Sequence, residues 1–239
     1  MTLIDLTLPT PAENLALDET LLDAAEGGSS GEALRFWESP TPFVVVGYAN
    51  KIVSEVNVPA CEARGIPILR RCSGGGTVVQ GPGCLNYAVI LRITDSGPTR
   101  SISAANQFIM ERVRDGIQSA IGNRQSAISI QGHTDLALGN LKFSGNAQRR
   151  RKNFLLFHGT LLLNFDLRLI NELLLMPSLQ PDYRDGRTHD RFITNLALSG
   201  DAVKTALKTA WNTSHAGAAL IPPISLVEKY RSDEWNKKF

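Results

Sequence analysis

The order of the predicted strands and helices limits the fold of this chain more than any single motif does. One helix comes first, four strand-like segments follow with no long helix between them, a second long helix comes next, and four more strands precede the last helices. Regular alternation of strand and helix, which a doubly wound parallel sheet requires, is absent. We therefore predict an α+β fold around a largely antiparallel sheet. The predicted strands cover residues 34–37, 43–48, 66–71, 85–93, 127–131, 135–138, 141–147 and 154–165.

Helix boundaries are marked by capping residues and by apolar spacing. Thr10, Pro11 and Glu13 have the positions of an N-cap, a first-turn proline and a capping-box glutamate, and they predict a helix that ends near residue 26. Residues 101–121 place apolar side chains at spacings of three and four, as an amphipathic helix does. The segment over 154–165 is nearly all apolar, which is typical of a strand covered on both faces. Shorter helices are predicted over residues 59–64, 166–175, 201–214 and 226–230.

Composition argues against several classes of protein. The chain has 239 residues, 43% of them hydrophobic, so it can bury a sizeable core without disulfides or metal. Its 25 basic and 23 acidic side chains give a net charge of +2, which provides no general attraction to nucleic acid or to a membrane surface. We find no secretory leader and no apolar stretch of membrane-spanning length, and the three cysteines lack zinc-type spacing. We expect one cytoplasmic domain, residues 1–239, that binds neither nucleic acid nor membranes.

A glycine triplet preceded by two arginines is the first segment that could carry chemistry. Residues 74–76 are all glycine and follow Arg70 and Arg71, in a loop predicted over 73–83. Glycines let main-chain N–H groups approach a ligand without obstruction by Cβ, and arginines supply donors to phosphate or carboxylate. No Gly-Lys-Ser/Thr follows the triplet, which argues against a Walker A motif. The triplet also does not begin a helix, which argues against the G-x-G-x-x-G dinucleotide-binding motif. A flexible connection between strands is the alternative.

Two later segments add candidate side chains. Alternation in the strand over 141–147 puts Lys142 and Ser144 on the same face, beside small residues that leave room for a ligand. His158 lies in an apolar strand, and the glycine after it allows the close approach of another backbone or of a ligand. A solvated lysine and a hydrogen-bonded core histidine are the alternatives without a ligand. The basic run over 149–152 lacks interleaved aromatics, so we interpret it as a solvated turn or a contact with an acidic protein rather than an RNA site.

Taken together, these segments resemble the lipoate-protein ligase family, within the larger group that includes biotin-protein ligases and octanoyltransferases. The motifs occur in the same order along almost the whole chain. They are NLALDE at 14–19, RRCSGGGTV at 70–78, LNY at 85–87, TDL at 134–136, KFSGNAQR at 142–149, HGTLLLN at 158–164 and RFITNL at 191–196.

The resemblance implies the catalytic fold of biotin ligases and class II aminoacyl-tRNA synthetases, with lipoate as substrate and with ATP and Mg²⁺ as ligands. Ligases of this family join lipoate and ATP into lipoyl-AMP and then pass the lipoyl group to a lysine of a carrier protein, such as a 2-oxoacid dehydrogenase lipoyl domain or the glycine-cleavage carrier. Mapped by motif, Lys142 is the catalytic residue that contacts the carboxylate and the α-phosphate, Asp135 lies near the metal, and residues 176–195 cover the adenylate. The other residues implied to bind ATP or lipoyl-AMP are Arg71, Ser73, Gly74, Gly75, Gly76, Thr77, Val78, Val79, Asn86, Ser144, Gly145, His158, Gly159 and Thr160.

Two departures from the family pattern leave the form of the enzyme open. Many ligases have His-Asp-x-Gly-Asn where residues 80–84 here read QGPGC. The chain also stops where the family's catalytic domain ends, so we expect no C-terminal accessory domain. A complete ligase and the catalytic half of a two-protein ligase, with a separate accessory subunit, both remain as hypotheses.

Three rival hypotheses concern the reaction itself. An octanoyl- or lipoyltransferase would move the acyl group between carriers without ATP, but the most similar transferases use a cysteine just before the region over 132–138, and no cysteine follows Cys84. Cys72 and Cys84 are the possible substitutes, since the arginines before the glycine loop could activate a thiol. A non-catalytic lipoyl-binding protein would have lost Lys142 or the glycine loop, and both are present. Biotin ligation has less support, because the motifs at Lys142 and His158 are closer to the lipoate branch.

Overall fold

The apolar segment predicted over 154–165 forms the central strand of the main sheet. The structure is a computed structural model that describes residues 1–122, 127–213, 215–217 and 220–239. Strand β10 (Phe154–Leu162) pairs antiparallel with β6 (Cys84–Arg92) on one side and with β9 (Leu141–Arg150) on the other. Eight of its nine residues are buried, which agrees with the two-sided covering that its sequence predicts.

The main sheet is largely antiparallel, as the order of the elements predicts. Its other strands are β1 Thr2–Asp5, β2 Ala33–Trp37, β7 Ile128–Gln131, β8 Asp135–Leu138 and β11 His215–Ala216. Within the described residues the strand order is β11–β1–β2–β6–β10–β9–β8–β7. The two parallel pairs both involve β1, which pairs with β2 and β11, and neither β1 nor β11 was predicted. The α+β class is confirmed.

A second, smaller sheet carries the glycine loop. Strand β3 (Phe43–Val46) lies between β4 (Ile68–Arg70), to which it is parallel, and β5 (Val78–Gln80), to which it is antiparallel. The loop predicted over 73–83 is too long, because its two valines favour extended backbone and pair with β3. The glycine loop is therefore anchored by a strand at each end.

Helices cover both faces of the main sheet. Helix α1 (Pro11–Glu26) begins at the predicted capping box, in which Glu13 N donates to Thr10 Oγ1 and Thr10 N donates to the Glu13 carboxylate. It packs on one face of the sheet, while α4 (Ile102–Ile121) and α7 (Gly200–Ala210) pack on the other. Residue 214, the predicted end of the helix over 201–214, lies outside the described residues. The remaining helices are α2 Ile52–Glu55, α3 Val58–Ala63, α5 Arg168–Leu173, α6 His189–Phe192, α8 Ile224–Arg231 and α9 Asp233–Asn236.

The predicted short helices correspond to α3, α5 and α8, with boundaries that differ by a few residues. The one-turn helices α2, α6 and α9 were not predicted, since four residues carry too little periodicity to be recognised. Across the described parts of the chain, we find no helix that combines the length and the apolar character needed to cross a bilayer.

Candidate active site

Two rows of residues on the α1 face of the main sheet supply the floor of a cleft. Residues paired across neighbouring antiparallel strands point to the same face, so the strand register identifies both rows. Each row crosses β2, β6, β10 and β9 in turn. The first row is Trp37, Asn86, Thr160 and Gly145, and the second is Arg35, Ala88, His158 and Ala147. All of these residues except Arg35 and Ala88 border the cleft.

The cleft has a volume of about 880 Å³, within the range of small-molecule and cofactor sites. Its walls are the glycine loop, α1 and the segment over 174–193. Of the residues implied by the resemblance, Ser73 and Gly74 do not border it. Those that do are Arg71, Gly75, Gly76, Thr77, Val78, Val79, Asn86, Asp135, Lys142, Ser144, Gly145, His158, Gly159 and Thr160.

Arg71 holds the glycine loop in shape. Its guanidinium donates to the Gly74 carbonyl at 2.6 Å and to the Gly76 carbonyl at 2.7 Å, and Gly75 has a φ of +86°, which favours glycine. Burial lowers the pKa of Arg71 to about 10, which leaves the side chain charged at neutral pH. No main-chain N–H of residues 74–76 donates a hydrogen bond to another described residue. These N–H groups are available to an anionic ligand.

Arg70 has a structural role, contrary to the expectation that both arginines meet an anion. Its side chain is fully buried and does not border the cleft. The guanidinium donates to the carbonyls of Gly47 at 2.9 Å, Asn50 at 2.8 Å and Asn236 at 3.0 Å. Arg70 therefore ties β4, directly before the glycine loop, to the loop after β3 and to helix α9.

Lys142 lies at the β9 end of the cleft, beside Asp135 of β8. Lys142 Nζ is 2.8 Å from Asp135 Oδ1, and Tyr183 Oη donates to Asp135 Oδ2 at 2.8 Å. A Cβ on Gly145 would come within 3.0 Å of Lys142 Nζ, so this glycine makes room for the lysine side chain. Burial and the charge of Asp135 raise the pKa of Tyr183, so its hydroxyl stays protonated and continues to donate.

Ser144 leaves the sheet on the opposite face from Lys142, so the predicted alignment of the two side chains is wrong. Leu136 pairs with Ser144, but the next residue of β8, Ala137, pairs with Lys142, which leaves Phe143 as an extra residue in β9. An extra residue reverses the alternation of side chains beyond it. Ser144 still borders the cleft, while its side chain is buried on the face that packs against α4.

His158 connects the cleft floor to a chain of buried polar side chains. Its Nδ1 lies 3.2 Å from Asp18 Oδ2, its Nε2 lies 2.6 Å from Ser73 Oγ, and Asp18 also pairs with the buried Arg35. Burial alone would raise the pKa of Asp18, but Arg35 and His158 outweigh it and lower the pKa, so the carboxylate stays charged. Ser73, His158 and Asp18 have the order of a catalytic triad, yet Ser73 is fully buried away from the cleft and cannot attack a substrate. The hydrogen bonds that join Ser73, His158 and Asp18 hold the glycine loop against β10 and α1.

Gly159 is required by the close approach of Asn146. A Cβ at position 159 would come within 1.6 Å of Asn146 Oδ1. From this position, Asn146 Oδ1 accepts a hydrogen bond from Tyr87 Oη at 2.6 Å, and Asn146 Nδ2 donates to the Thr134 carbonyl at 2.7 Å. Asn146 thus fastens the turn before β8 to the sheet and helps to position Asp135.

None of the three cysteines, all of which lie in described parts of the chain, borders the cleft. Cys72 is 4% exposed and Cys84 is fully buried, and burial raises the pKa of both thiols to about 12. Cys61 lies in the apolar core beside α5, where burial raises its pKa as well. A nucleophilic thiol needs an accessible, electropositive position. Cys72 and Cys84 therefore lack the setting that a transferase nucleophile requires.

The segment over 176–195, expected to cover a ligand, closes one side of the cleft. Ten of its residues border the cavity, including Tyr183, His189 and Phe192. It is attached to β9 where Thr194 N donates to the Lys142 carbonyl at 2.9 Å. The covering segment and the lysine are therefore coupled through the main chain.

Sequence reasoning gave no role to several residues of the cleft. Asp18 lies within a motif of the resemblance, but the motif alone does not reveal that the side chain reaches His158. Trp37 and Gln80 end two strands, and Tyr183 lies in a segment without periodicity. Only the strand register and the tertiary contacts bring these residues together.

A divalent metal ion would find one carboxylate beside Lys142. Among the described residues, no group of three or more His, Cys, Asp or Glu side chains is arranged to hold a metal by itself. Mg²⁺ usually keeps several waters and binds through one or two carboxylates together with phosphate oxygens. Asp135 fits that pattern, because it borders the cleft and a bound phosphate would supply further ligands.

Comparison with known proteins decides the family. The sequence model of the lipoyl protein ligase A/B catalytic domain matches residues 10–210. The chain belongs to this family. The resemblance that the motifs indicate is thereby confirmed.

Curated relatives within this family divide between two activities. The octanoyltransferase LipM of Halalkalibacterium halodurans is 26% identical, over 95% of this chain and 94% of its own length. The putative lipoate-protein ligase A of Aeropyrum pernix is 33% identical, over 70% of this chain and 59% of its own length. An enzyme of the lipoate ligase and octanoyltransferase group is thus supported, while the choice between the two reactions is not made by the relatives.

Solved structures share the fold. Protein Ta0514 of T. acidophilum, a putative lipoate protein ligase with bound lipoic acid, has a TM-score of 0.81 at 22% identity, covering 99% of this chain and 98% of that one. A lipoate-protein ligase A bound with ATP has a TM-score of 0.80 at 25% identity, with the same coverage. The biotin protein ligase of Leishmania major has a TM-score of 0.51 at 11% identity, over 99% of this chain and 77% of that one. The expected fold, of the biotin ligase and class II aminoacyl-tRNA synthetase type, is confirmed.

Proposed function

We propose that this protein is an ATP-dependent lipoate-protein ligase, which activates lipoate as lipoyl-AMP and transfers the lipoyl group to a lysine of a carrier protein. One observation carries the proposal. The cleft combines a fixed ammonium, Lys142, with the free main-chain N–H groups of Gly75 and Gly76, and it contains no thiol. This set of groups suits the stabilisation of anions and offers no cysteine for a covalent acyl-enzyme.

In the first step, a carboxylate oxygen of lipoate attacks the α-phosphorus of ATP, the new O–P bond forms and pyrophosphate leaves. Two anions must approach each other, so the enzyme has to offset negative charge that increases at the α-phosphate. Lys142 Nζ, oriented by Asp135 at 2.8 Å, supplies a positive charge at the β9 end of the cleft. The N–H groups of Gly75 and Gly76 supply fixed donors at the wall that the glycine loop forms.

Mg²⁺, when bound, would offset further phosphate charge, and Asp135 is the residue that would hold it. The acyl chain of lipoate needs apolar walls, which Leu15, Val79 and Leu162 provide along the cleft. The segment over 176–195 would exclude water from the adenylate.

In the second step, the amine of a carrier lysine attacks the acyl carbon of lipoyl-AMP, the amide forms and AMP leaves. Neither step needs a covalent bond to the enzyme. A carrier protein is therefore the second substrate, and a lipoyl domain is the class we expect. A structural neighbour, described as a bi-partite lipoate protein ligase and its E2 lipoyl domain from Thermoplasma acidophilum, supports that expectation and leaves a separate accessory subunit open for this chain. We also infer a cytoplasmic location from the three unpaired cysteines.

Transfer of an octanoyl group between carriers without ATP is the second candidate. It is favoured by the similarity to octanoyltransferase LipM, which extends over 95% of this chain. Against it stands the burial of all three thiols, which leaves that reaction without a cysteine nucleophile in the cleft.

Exchange of labelled pyrophosphate into ATP tests the proposal on the isolated chain. We expect exchange that depends on lipoate and Mg²⁺ and requires no carrier protein, because adenylate formation is complete before the carrier binds. Absence of exchange by the chain alone, together with acyl transfer from an octanoyl-carrier in the absence of ATP, would select the transferase. Exchange that appears only after a second polypeptide is added would assign the chain to a two-protein ligase.

A further inference from the structure

Glu55, the last residue of α2, is a buried carboxylate on the wall of the cleft. Its side chain borders the cavity and is only 5% exposed. Ser178 N and Ser178 Oγ both donate to Glu55 Oε1. Glu55 Oε2 accepts no hydrogen bond from a described residue, yet it is not among the buried polar atoms that are inaccessible to water. One carboxylate oxygen therefore holds the covering segment, and the other is free beside the cavity.

Among the described residues, no basic side chain pairs with Glu55. Asp18 and Asp135, the other carboxylates of the cleft that are not exposed, pair with Arg35 and Lys142. Burial of a carboxylate without a cation is costly. Its presence beside a cavity indicates a ligand that brings a positive charge or a hydrogen-bond donor.

Hydrogen bonds of the covering segment connect Glu55 with Lys142. Leu175 N donates to the Glu55 carbonyl at 3.0 Å, and His189 Nε2 lies 3.1 Å from the Leu175 carbonyl. Ile193, four residues after His189, pairs with Lys142. The free carboxylate oxygen is thus linked by a few contacts to the lysine beside which the acyl carbon of lipoyl-AMP would lie.

The edge of the cleft beside Glu55 is open to a protein substrate. Val53, two residues before Glu55 in α2, is 76% exposed. Leu179, next to Ser178, is 90% exposed and borders the cavity. Exposed apolar side chains at the edge of a cleft suit contact with a protein. A carrier that docks here would present its acceptor lysine close to Glu55.

The carrier lysine is the reactant that brings both a positive charge and protons to be removed. Its ordinary pKa of about 10.4 leaves about one side chain in 2,500 as the free amine at pH 7. Formation of the amide removes two protons from the nitrogen, one before its electron pair can attack and one as the C–N bond forms. Lipoate and ATP are both anions, which Glu55 would repel.

We propose that Glu55 is a catalytic residue of the transfer step, which binds the amino group of the carrier lysine through Oε2. The inference deepens the proposed function and rests on it for the lipoyl-AMP that the amine attacks. Water takes the first proton, and the resulting amine donates a hydrogen bond to Oε2. As the nitrogen attacks the acyl carbon, the C–N bond forms, the bond from that carbon to the phosphate oxygen breaks, and AMP leaves with its electron pair. Glu55 Oε2 receives the second proton and releases it to water.

Separate assays of the two steps test the proposal. Supplied lipoyl-AMP measures transfer to a lipoyl domain by itself, and pyrophosphate exchange measures the first step. We expect Glu55→Gln to lower the rate of transfer by about 100-fold or more, as loss of a general base does, and to leave exchange within about twofold of wild type. An unchanged rate of transfer would overturn the inference. An equal loss of transfer and exchange would also overturn it, because Glu55 would then be a support or a metal ligand of the first step.

Ser178→Ala and Glu172→Gln are the matched controls. Ser178→Ala removes the hydroxyl that donates to Oε1 but keeps the carboxylate, so transfer should fall by at most about tenfold, the effect of one hydrogen bond. Glu172 pairs with Arg64 on the surface, and Glu172→Gln should leave transfer unchanged. A loss in Ser178→Ala equal to that in Glu55→Gln would mean that the carboxylate only holds the covering segment, contrary to the inference.

The two assays also separate this inference from the ligase assignment. Absence of exchange in the wild type counts against the proposed function, while supplied lipoyl-AMP still measures the role of Glu55. A wild-type protein that does not accelerate transfer from supplied lipoyl-AMP would overturn the inference.

Discussion

Replacing Asp18 by Asn should destabilise the protein far more than the same change at another aspartate of helix α1. Arg35 is fully buried, and Asp18 is the one carboxylate that pairs with it among the described residues. Its other acceptors are neutral: the Asn14 carbonyl at 2.9 Å, Asn14 Oδ1 at 2.7 Å and the Leu6 carbonyl at 3.2 Å. Asp18→Asn keeps the size and one acceptor but removes the negative charge, so Arg35 is left as an unbalanced cation in the core.

Breaking a buried ion pair by removing one partner typically costs about 3–5 kcal/mol. With a urea m-value of about 3 kcal/mol per M, the unfolding midpoint should fall by about 1–1.7 M. The control is Asp23→Asn, whose side chain is 47% exposed and pairs with Arg151 at 2.8 Å. An exposed pair contributes about 0–1 kcal/mol, so this midpoint should change little.

The same pair makes stability depend on pH. The folded pKa of Asp18 lies below its ordinary value of 3.8, so its contribution is present above that value and is lost as the pH falls through the folded pKa. Wild-type protein should therefore lose more stability on acidification below about pH 4 than Asp18→Asn does. Urea unfolding at pH 7 and at lower pH measures both effects. A loss below about 1 kcal/mol at pH 7, equal to that of Asp23→Asn, would refute the assignment of Asp18 as the counter-ion of Arg35.

Three further predictions concern catalysis. Lys142→Ala should lower the rate of pyrophosphate exchange by about 100-fold or more, because a fixed positive charge at the α-phosphate is lost. The unfolding midpoint should be unchanged, and near-normal exchange would contradict the catalytic role of Lys142. Tyr183→Phe should raise the KM for ATP by about tenfold, since Asp135 loses a hydrogen-bond donor, and an unchanged KM would argue against this positioning contact. Cys72→Ser and Cys84→Ser should retain lipoyl transfer to a carrier, measured by mass spectrometry, whereas loss of transfer in a folded variant would point to a thioester route.

The sequence predicted the fold where a pattern extended over many residues. Helix α1 was recognisable from its capping box, α4 from its apolar spacing and β10 from its continuous apolar run. Elements of two to four residues, such as β1, α2 and β11, carry too short a pattern to be recognised, and the two strands among them form through pairing with other segments of the chain. The order of the longer elements was sufficient to indicate the α+β class.

Some residues of the candidate site could likewise be predicted from sequence motifs, while the roles of others could not. The motifs identified Lys142, Asp135 and the glycine loop, and the structure brings these together around one cleft. Arg70 was misassigned, because a single sequence does not reveal that the carbonyls of a distant helix surround its guanidinium. The orientation of Ser144 was wrong, because one extra residue in β9 reverses the alternation on which the prediction relied.

The dependence of lipoylation on ATP tests the central claim most directly. The isolated chain would be incubated with lipoate, Mg²⁺ and a lipoyl domain whose acceptor lysine is free, with and without ATP, and the mass of the domain would be measured. We expect the mass increase of one lipoyl amide in the presence of ATP, release of AMP in equal amount, and no increase without ATP. Modification of the domain from an octanoyl-carrier donor, at the same rate whether or not ATP is present, would contradict the account.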